Sequence, residues 1–130
     1  MTSEDTILTT DAPKPGGAYS QARRSGDLLW VTGQIGRYPD TGEFVPGGFE
    51  AQFNRAISNL EGILKAGGCT LADVVRTQVQ FVDESDLEAM NRVYGERFPE
   101  PLPARSSFGV AFLWKGAKVQ IDCVARIPKS

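Results

Sequence analysis

The chain has 130 residues, of which 41% are apolar and 23% are charged, and its formal net charge is −2 at pH 7. These values predict a single domain over residues 1–130 that buries a core, and they make nucleic acid an unlikely partner because the charge balance does not attract a phosphate backbone. Histidine is absent. Its absence removes the usual general base, the usual zinc ligand and every histidine-dependent nucleophile, so any chemistry must use carboxylates, hydroxyls, amides, arginine or water.

The ends and the cysteines indicate a cytoplasmic protein without a membrane partner. The first residues are acidic, no apolar segment follows them, and the longest apolar runs are far too short to span a bilayer. We expect residues 1–13 to form a loosely ordered N-terminal segment. Cys69 and Cys123 belong to no CxxC motif, so they signal neither a disulfide framework nor a zinc site, and we expect both to be small buried apolar side chains.

The first half of the chain predicts a strand, a turn and a helix. Residues 27–32 form a short apolar run after Gly26, which predicts a strand, and residues 39–42 predict a tight turn. Over residues 49–66 apolar side chains recur every three or four positions, and two glycines follow. This pattern predicts an amphipathic helix that ends at the glycines.

The next segments predict a strand and a second helix. Residues 73–82 alternate in polarity, which predicts a strand with Val75, Thr77, Val79 and Phe81 on one face. A capping-box pattern at residues 85–88 precedes apolar side chains at helical spacing, which predicts a helix that ends at Pro99.

Two further alternating segments predict the last strands. Residues 105–112 place Phe108 on an apolar face and Arg105 with Ser107 on the opposite face, while residues 118–123 place Gln120 on a polar face. Two helices can cover the apolar face of such a sheet. The sequence therefore predicts a two-layer α+β sandwich.

Arg105 is a candidate carboxylate receptor. Pro101 and Pro103 stiffen the chain before it, so less entropy is lost when its guanidinium binds a ligand. The planar fork of arginine donates two parallel N–H bonds to a carboxylate, which lysine cannot reproduce. Considered alone, the residue also fits a solvated charge or a weak surface ion pair, and both interpretations stay open on this residue.

Five motifs occur in order between about residues 13 and 124: Gly17-Ala18-Tyr19-Ser20-Gln21-Ala22, Val31-Thr32-Gly33-Gln34-Ile35, Asn91-Arg92-Val93-Tyr94, Pro103-Ala104-Arg105-Ser106 and Val119-Gln120-Ile121-Asp122. In order and spacing they resemble the reactive intermediate deaminase family, also called Rid or YjgF-like. The resemblance implies a chorismate-mutase-like fold with a mostly antiparallel sheet of about six strands and two helices on one face. It also implies a homotrimer with ligand sites between subunits, no cofactor and no metal, and hydrolysis of enamines and imines such as 2-aminoacrylate to 2-keto acids and ammonia.

The family resemblance also implies the roles of the site residues. The imine carbon is already electrophilic, so catalysis needs a carboxylate anchor, hydrogen bonds that hold the imine, and a positioned water. By resemblance, Arg105 binds the substrate carboxylate, and a set of pocket residues surrounds the ligand, comprising Tyr19, Thr32, Gly33, Asn91, Ser107 and Gln120. Considered alone, Tyr19 fits a core or interface aromatic equally well, and Asn91 fits a helix-surface amide.

Gln120 departs from the family pattern. Deaminating members that process 2-aminoacrylate typically carry a glutamate there, thought to orient and activate the attacking water, whereas glutamine can hold a water but cannot take its proton. Asp122 lies on the same strand face, about 6.6 Å away, and could act through a water chain. Three functions stay open: an imine or enamine deaminase, a non-catalytic or regulatory trimeric binder of small carboxylates such as 2-keto acids, and, most weakly, an endoribonuclease.

The expected distance between Arg105 and Gln120 favours a site shared between subunits. If the strands that carry Arg105 and Gln120 run in opposite directions about residues 113–116, the two residues lie about five positions out of level, or roughly 16 Å. A small ligand cannot bridge that distance. If one site uses both residues, different subunits must supply them.

Overall fold

A single six-stranded sheet organises the chain. The computed structural model describes residues 5–129. The strands follow the order β1-β2-β3-β6-β4-β5, and every neighbouring pair is antiparallel except β4 and β5, which are parallel. This architecture confirms the predicted α+β class. The elements are β1 (Thr6–Ile7), β2 (Ala22–Ser25), β3 (Leu28–Gln34), α1 (Gly48–Ala66), β4 (Val74–Phe81), α2 (Leu87–Arg97), β5 (Ala104–Gly109) and β6 (Val119–Arg126).

Helix α1 supplies much of the core. The three- and four-residue spacing of its apolar side chains gives it one continuous buried face, which includes Phe53, Ile57 and Leu60 at 0% exposure. The helix ends where the backbone N–H of Gly67 bonds to the carbonyl of Ile63. Its observed bounds confirm the predicted helix to within one residue.

Helix α2 begins differently from the sequence prediction. The predicted capping box at residues 85–88 is wrong: Asp83 accepts a hydrogen bond from the backbone N–H of Ser85 and caps a 3-10 turn over Glu84–Asp86. This turn leads into α2, which has no side-chain cap of its own. The aspartate competes successfully because its side chain reaches the N–H two residues on, as in an Asx turn.

The helices cover one face of the sheet, and the other face is open in the single chain. In β4, Thr77, Val79 and Phe81 are buried on the covered face, as predicted. Val75 was predicted to join them, but it is 48% exposed. A register shift between Val74 and Arg76 turns the side chain of Val74, and not that of Val75, into the core.

The faces of β5 are the reverse of the prediction. Arg105 pairs with Thr77, whose hydroxyl is buried 2.7 Å from the hydroxyl of Tyr94 on α2. Arg105 and Ser107 therefore lie on the covered face, and Phe108 lies on the open face with 42% exposure. Alternation groups the side chains of β5 correctly, but the position of α2 at this edge decides which group is covered.

The segment over residues 6–13 is held to the domain, which corrects the expectation of loose order. Ile7 pairs with Ala22 of β2 and is buried. The side-chain amide of Gln21 accepts a hydrogen bond from the backbone N–H of Thr9 and donates one to the carbonyl of Pro13. Residues 1–4, on which part of that expectation falls, lie outside the described residues.

Both cysteines are buried and unpaired, as predicted. Burial raises the pKa of the Cys69 thiol and, more strongly, that of Cys123, so both stay protonated and unreactive at neutral pH. Over residues 5–129, no helix is long and apolar enough to cross a membrane. The same part of the chain contains no group of three or more acidic or cysteine side chains that could hold a metal ion.

Candidate functional site

A cleft with a volume of about 430 Å³ opens beside β3 and β6, under the loop that precedes β2. This volume falls in the range of about 300–1,000 Å³ that small-molecule sites have. Four predicted site residues line it together, namely Tyr19, Thr32, Gly33 and Gln120. We call this space the Tyr19 cleft.

Tyr19 is fixed in the wall of the cleft by its own loop. Its backbone N–H donates to the carbonyl of Gly17 at 3.0 Å, and its hydroxyl accepts a hydrogen bond from the backbone N–H of Gly16 at 2.9 Å. The side chain is 50% exposed. Because the hydroxyl is used here as an acceptor, its own proton remains available to donate to a ligand.

Thr32 and Gly33 contribute backbone and space. The hydroxyl of Thr32 donates to the carbonyl of Ser20 at 2.7 Å, which commits it to holding the loop in place. A register shift in the ladder between Val31 and Gln34 interrupts the pairing of β3 with β6 at this point. At Gly33, a Cβ would lie 2.7 Å from the side-chain Cδ of Gln120. Glycine at this position therefore makes room for the Gln120 side chain.

Gln120 is oriented by a chain of polar side chains on the open face. Its amide nitrogen donates to the side-chain oxygen of Gln80 at 3.2 Å, and the Gln80 amide also interacts with the carboxyl of Asp122. Burial raises the pKa of the Asp122 carboxyl, and the bond from Gln80 partly offsets that rise. Because the side-chain oxygen of Gln80 accepts from Gln120, the amide nitrogen of Gln80 is the group left to interact with Asp122. The oxygen of Gln120 is left as an acceptor for a water.

Arg105 lies in a second cluster, against α2. Its Nη2 donates to the Oδ1 of Asn91 at 2.6 Å, and its Cζ lies 4.7 Å from the ring centroid of Tyr94. Burial raises the pKa of the Tyr94 phenol, so the ring stays neutral beneath the cation. Asn91 and Tyr94 hold one edge and one face of the guanidinium, and its remaining donors are exposed.

Ser107 extends the Arg105 cluster along β5. It lies two residues further on the same strand face, opposite Val79. Its hydroxyl oxygen is buried, and no residue in the part of the chain that the structure describes hydrogen-bonds to it. A buried polar group without a partner costs about 1–3 kcal/mol.

The two clusters do not meet within one chain. Strand β4 separates β5 from β6, and across it Arg105 is level with Cys123, three positions from Gln120. The two residues are offset by three positions along the strands, about 10 Å, and by two strand spacings across the sheet, also about 10 Å. Their backbones are therefore about 14 Å apart. Their side chains also leave opposite faces of the sheet. The offset along the strands is therefore three residues where five were predicted, because β4 lies between the two strands that were assumed to be neighbours. The conclusion that a small ligand cannot bridge Arg105 and Gln120 of one chain is unchanged.

The Tyr19 cleft is also lined by residues that sequence patterns did not indicate, among them two cations and an aromatic ring, namely Lys14, Arg37 and Trp114. The Cζ of Arg37 lies 4.8 Å from the centroid of the Trp114 ring. No local pattern connects these positions, because Arg37 follows β3 while Trp114 belongs to the 3-10 turn before β6.

The chain is similar to known proteins along nearly all of its length. A model of the family described as Endoribonuclease L-PSP matches residues 9–127. A Rattus norvegicus protein named 2-iminobutanoate/2-iminopropanoate deaminase is 42% identical over 92% of this chain and 87% of its own length. The chloroplastic Reactive Intermediate Deaminase A of Arabidopsis thaliana is 37% identical over 95% of this chain, which spans 66% of that relative. A crystal structure of RidA from the Antarctic bacterium Psychrobacter sp. PAMC 21119 superposes with a TM-score of 0.91 at 39% identity, covering 94% of this chain and 98% of that one.

Proposed function

The chain belongs to the reactive intermediate deaminase family, Rid or YjgF-like, and from this membership we propose that it hydrolyses small 2-imino acids and their enamine tautomers to 2-keto acids and ammonia. The observation that carries the proposal is the pairing of an exposed, pre-oriented Arg105 with a separate cleft in which Gln120 can hold a water. The relatives named as 2-iminobutanoate/2-iminopropanoate deaminases support it at about 40% identity.

Arg105 binds the carboxylate that every 2-imino acid carries. Its guanidinium is already immobilised by Asn91 and Tyr94, so little conformational entropy is lost on binding. The bidentate geometry sets the direction of the substrate, and the Ser107 hydroxyl lies one strand step further along the same face. The cluster is thus a carboxylate receptor that fixes where the imine carbon lies.

The complete site forms between subunits of a homotrimer. One chain supplies Arg105, Asn91 and Ser107, and its neighbour supplies the Tyr19 cleft with Gln120. The open face of the sheet is the surface available for such contact, because Trp30 and Phe108 lie on it with 52% and 42% exposure. Aromatic side chains of this size are favoured at interfaces.

The reaction adds water to the carbon–nitrogen double bond. An enamine first takes a proton on carbon and gives up a proton from nitrogen to solvent, and so becomes the neutral imine. The water held by the Gln120 oxygen then attacks the imine carbon, the nitrogen takes up a proton, and the Tyr19 hydroxyl donates a hydrogen bond to that nitrogen. The resulting carbinolamine loses ammonia and forms the keto group. Gln120 positions the water and the substrate nitrogen acts as the base, so no protein base is required.

A second candidate function is supported by Gln120 itself. Because an amide cannot accept the proton of the water, the site could bind small carboxylates such as 2-keto acids without turning over an imine. In that case Arg105 and the Tyr19 cleft would form a regulatory or partner-dependent binding module. Turnover of an imine is the measurement that separates the two functions.

The test follows the loss of semicarbazide-trappable imine when 2-aminoacrylate or 2-iminobutanoate is generated in situ by a dehydratase. We expect the protein to accelerate imine loss, and Arg105→Ala to lower kcat/KM about ten- to hundred-fold, which corresponds to the loss of a charged hydrogen-bonded anchor. Arg126→Ala is the matched control, since Arg126 is exposed and makes one surface ion pair with Asp27. No acceleration by the unmodified protein, together with 2-keto acid binding in calorimetry, would contradict the deaminase and favour the binding module.

A further inference from the structure

The Tyr19 cleft carries positive charge that the proposed reaction does not use. The charged residues that line it are Lys14 and Arg37, and no acidic side chain lines it. Arg105, which binds the substrate carboxylate in the proposed function, is on the other face of the sheet. The cleft therefore contains cations in addition to that anchor.

Arg37 is held as a rigid donor. Its Nε donates to the carbonyl of Gly42 at 2.7 Å, and its guanidinium lies over the ring of Trp114 with Cζ 4.8 Å from the centroid. At Gly42 the φ angle is +75°, and a Cβ there would lie 2.8 Å from Nη2 of Arg37. Glycine thus permits both the turn and the position of the guanidinium.

The terminal nitrogens of Arg37 have no anionic partner within the described chain. The ion pairs over residues 5–129 involve other arginines. Arg37 is only partly exposed and is stacked on an aromatic ring, so part of its solvation is already lost. A partly desolvated guanidinium gains more binding free energy from a bidentate carboxylate than a freely solvated guanidinium does.

We propose that Arg37, assisted by Lys14, is a subsite for a second carboxylate, and that the preferred substrates are imino acids with an acidic side chain. This inference rests on the proposed function, in which Arg105 of a neighbouring subunit binds the carboxylate next to the imine carbon. The cleft volume of about 430 Å³ accommodates a substrate longer than a three-carbon imino acid. Oxidation of acidic amino acids at their amino group is the class of reaction that supplies such imines.

The kinetic test compares 2-iminosuccinate and 2-iminoglutarate with neutral 2-iminobutanoate, each generated in situ by an amino-acid oxidase. We expect a higher kcat/KM for the acidic imines, and a loss of about ten- to hundred-fold in Arg37→Leu for these substrates, with a clearly smaller loss for 2-iminobutanoate. Arg37→Lys keeps the positive charge but not the two parallel N–H donors, so its loss of kcat/KM on the acidic imines should be smaller than that of Arg37→Leu. Equal rates on acidic and neutral imines, or an equal loss on both in Arg37→Leu, would overturn the subsite.

A binding test remains decisive if no imine is hydrolysed. Calorimetry with 2-oxoglutarate and 2-oxobutanoate needs no turnover, and we expect tighter binding of the dicarboxylate, weakened selectively by Arg37→Leu and, to a smaller extent, by Lys14→Gln. Lys14 is exposed, so its variant should fold normally even if loss of the Trp114 stacking unfolds Arg37→Leu. Equal affinity for the two keto acids would overturn the subsite, whereas absent imine turnover with selective dicarboxylate binding would overturn only the proposed deaminase.

Discussion

Gln120 donates a hydrogen bond from its amide nitrogen to the side-chain oxygen of Gln80 at 3.2 Å. Gln80 is buried, and its amide also interacts with the carboxyl of Asp122, whose pKa it lowers against the larger opposing effect of burial. The direction of the Gln120 amide is therefore set by a carboxylate that does not line the cleft. Asp122 can influence the reaction by orienting two amides, without contacting the substrate.

Replacing Gln120 with glutamate should raise the rate of imine hydrolysis. A carboxylate can take the proton of the attacking water, and general-base catalysis contributes about 10²–10⁴-fold in favourable sites. We expect an increase in kcat of about ten-fold or more in Gln120→Glu, with KM nearly unchanged because Arg105 is unaffected. Steady-state assays with trapped imine measure both constants. An unchanged kcat would show that water is not activated at position 120.

The increase in kcat caused by Gln120→Glu should be larger when Asp122 is replaced as well. In Gln120→Glu, the amide of Gln80 must turn so that its nitrogen donates to the new carboxylate. This turn points the amide oxygen of Gln80 at the Asp122 carboxylate, which is unfavourable because both groups are acceptors. In the double variant Gln120→Glu with Asp122→Asn, the introduced asparagine can donate to that oxygen, so every amide has a partner. We expect a higher kcat for the double variant than for Gln120→Glu alone. Simple additivity of the single changes would contradict this coupling.

Removing the hydrogen bond from Gln80 should affect kcat more than KM. Gln80→Met keeps an unbranched side chain of similar length but loses the acceptor for Gln120, so the water is less well oriented. We expect kcat to fall about two- to ten-fold, the loss of one neutral hydrogen bond. Gln78→Met is the matched control on the same face of β4. A rise in KM with unchanged kcat would instead place Gln80 in substrate binding.

Mixing two inactive variants should restore activity if the site is shared between subunits. Arg105→Ala removes the anchor, and Gly33→Leu fills the space beside Gln120. After joint unfolding and refolding, about one quarter of the sites in random trimers would combine two intact halves. We expect recovery of roughly that fraction of the unmodified activity. No recovery in verified mixed trimers would show that Arg105 and the Tyr19 cleft do not combine into one site.

The Asp122 carboxyl should make the free energy of unfolding fall as pH rises. Burial raises its pKa in the folded protein above the ordinary value of 3.8, so the folded state binds more protons than the unfolded state above about pH 4. Asp122→Asn removes this dependence and still offers an acceptor to Gln80. Urea unfolding from acidic to neutral pH should show the variant gaining stability relative to the unmodified protein as pH increases. If the difference in the free energy of unfolding between Asp122→Asn and the unmodified protein does not change with pH, Asp122 does not cause the pH dependence.

Much of the candidate site was visible in the sequence. Tyr19, Thr32, Gly33 and Gln120 were chosen from motifs, and the structure places all four on one cleft. Whether they act on a ligand remains a prediction. Arg37 could not be found, because its position in the cleft depends on a contact with Trp114 between segments distant in sequence.

The sequence by itself determined the family and every labelled element except β1 and β2, for which no strand was predicted. Periodicity of apolar side chains is local, so it defined α1 nearly to the residue and located β4 and β6. Only the tertiary structure decided which strands are neighbours and which strand face a helix covers. Alternation places Arg105 and Ser107 on the same face of β5, whichever face a helix covers. The packing of α2 against that edge puts both residues on the covered face, away from Gln120. The division of the site into two halves is therefore a property of the folded sheet, because the energy that selects it comes from contacts between distant segments.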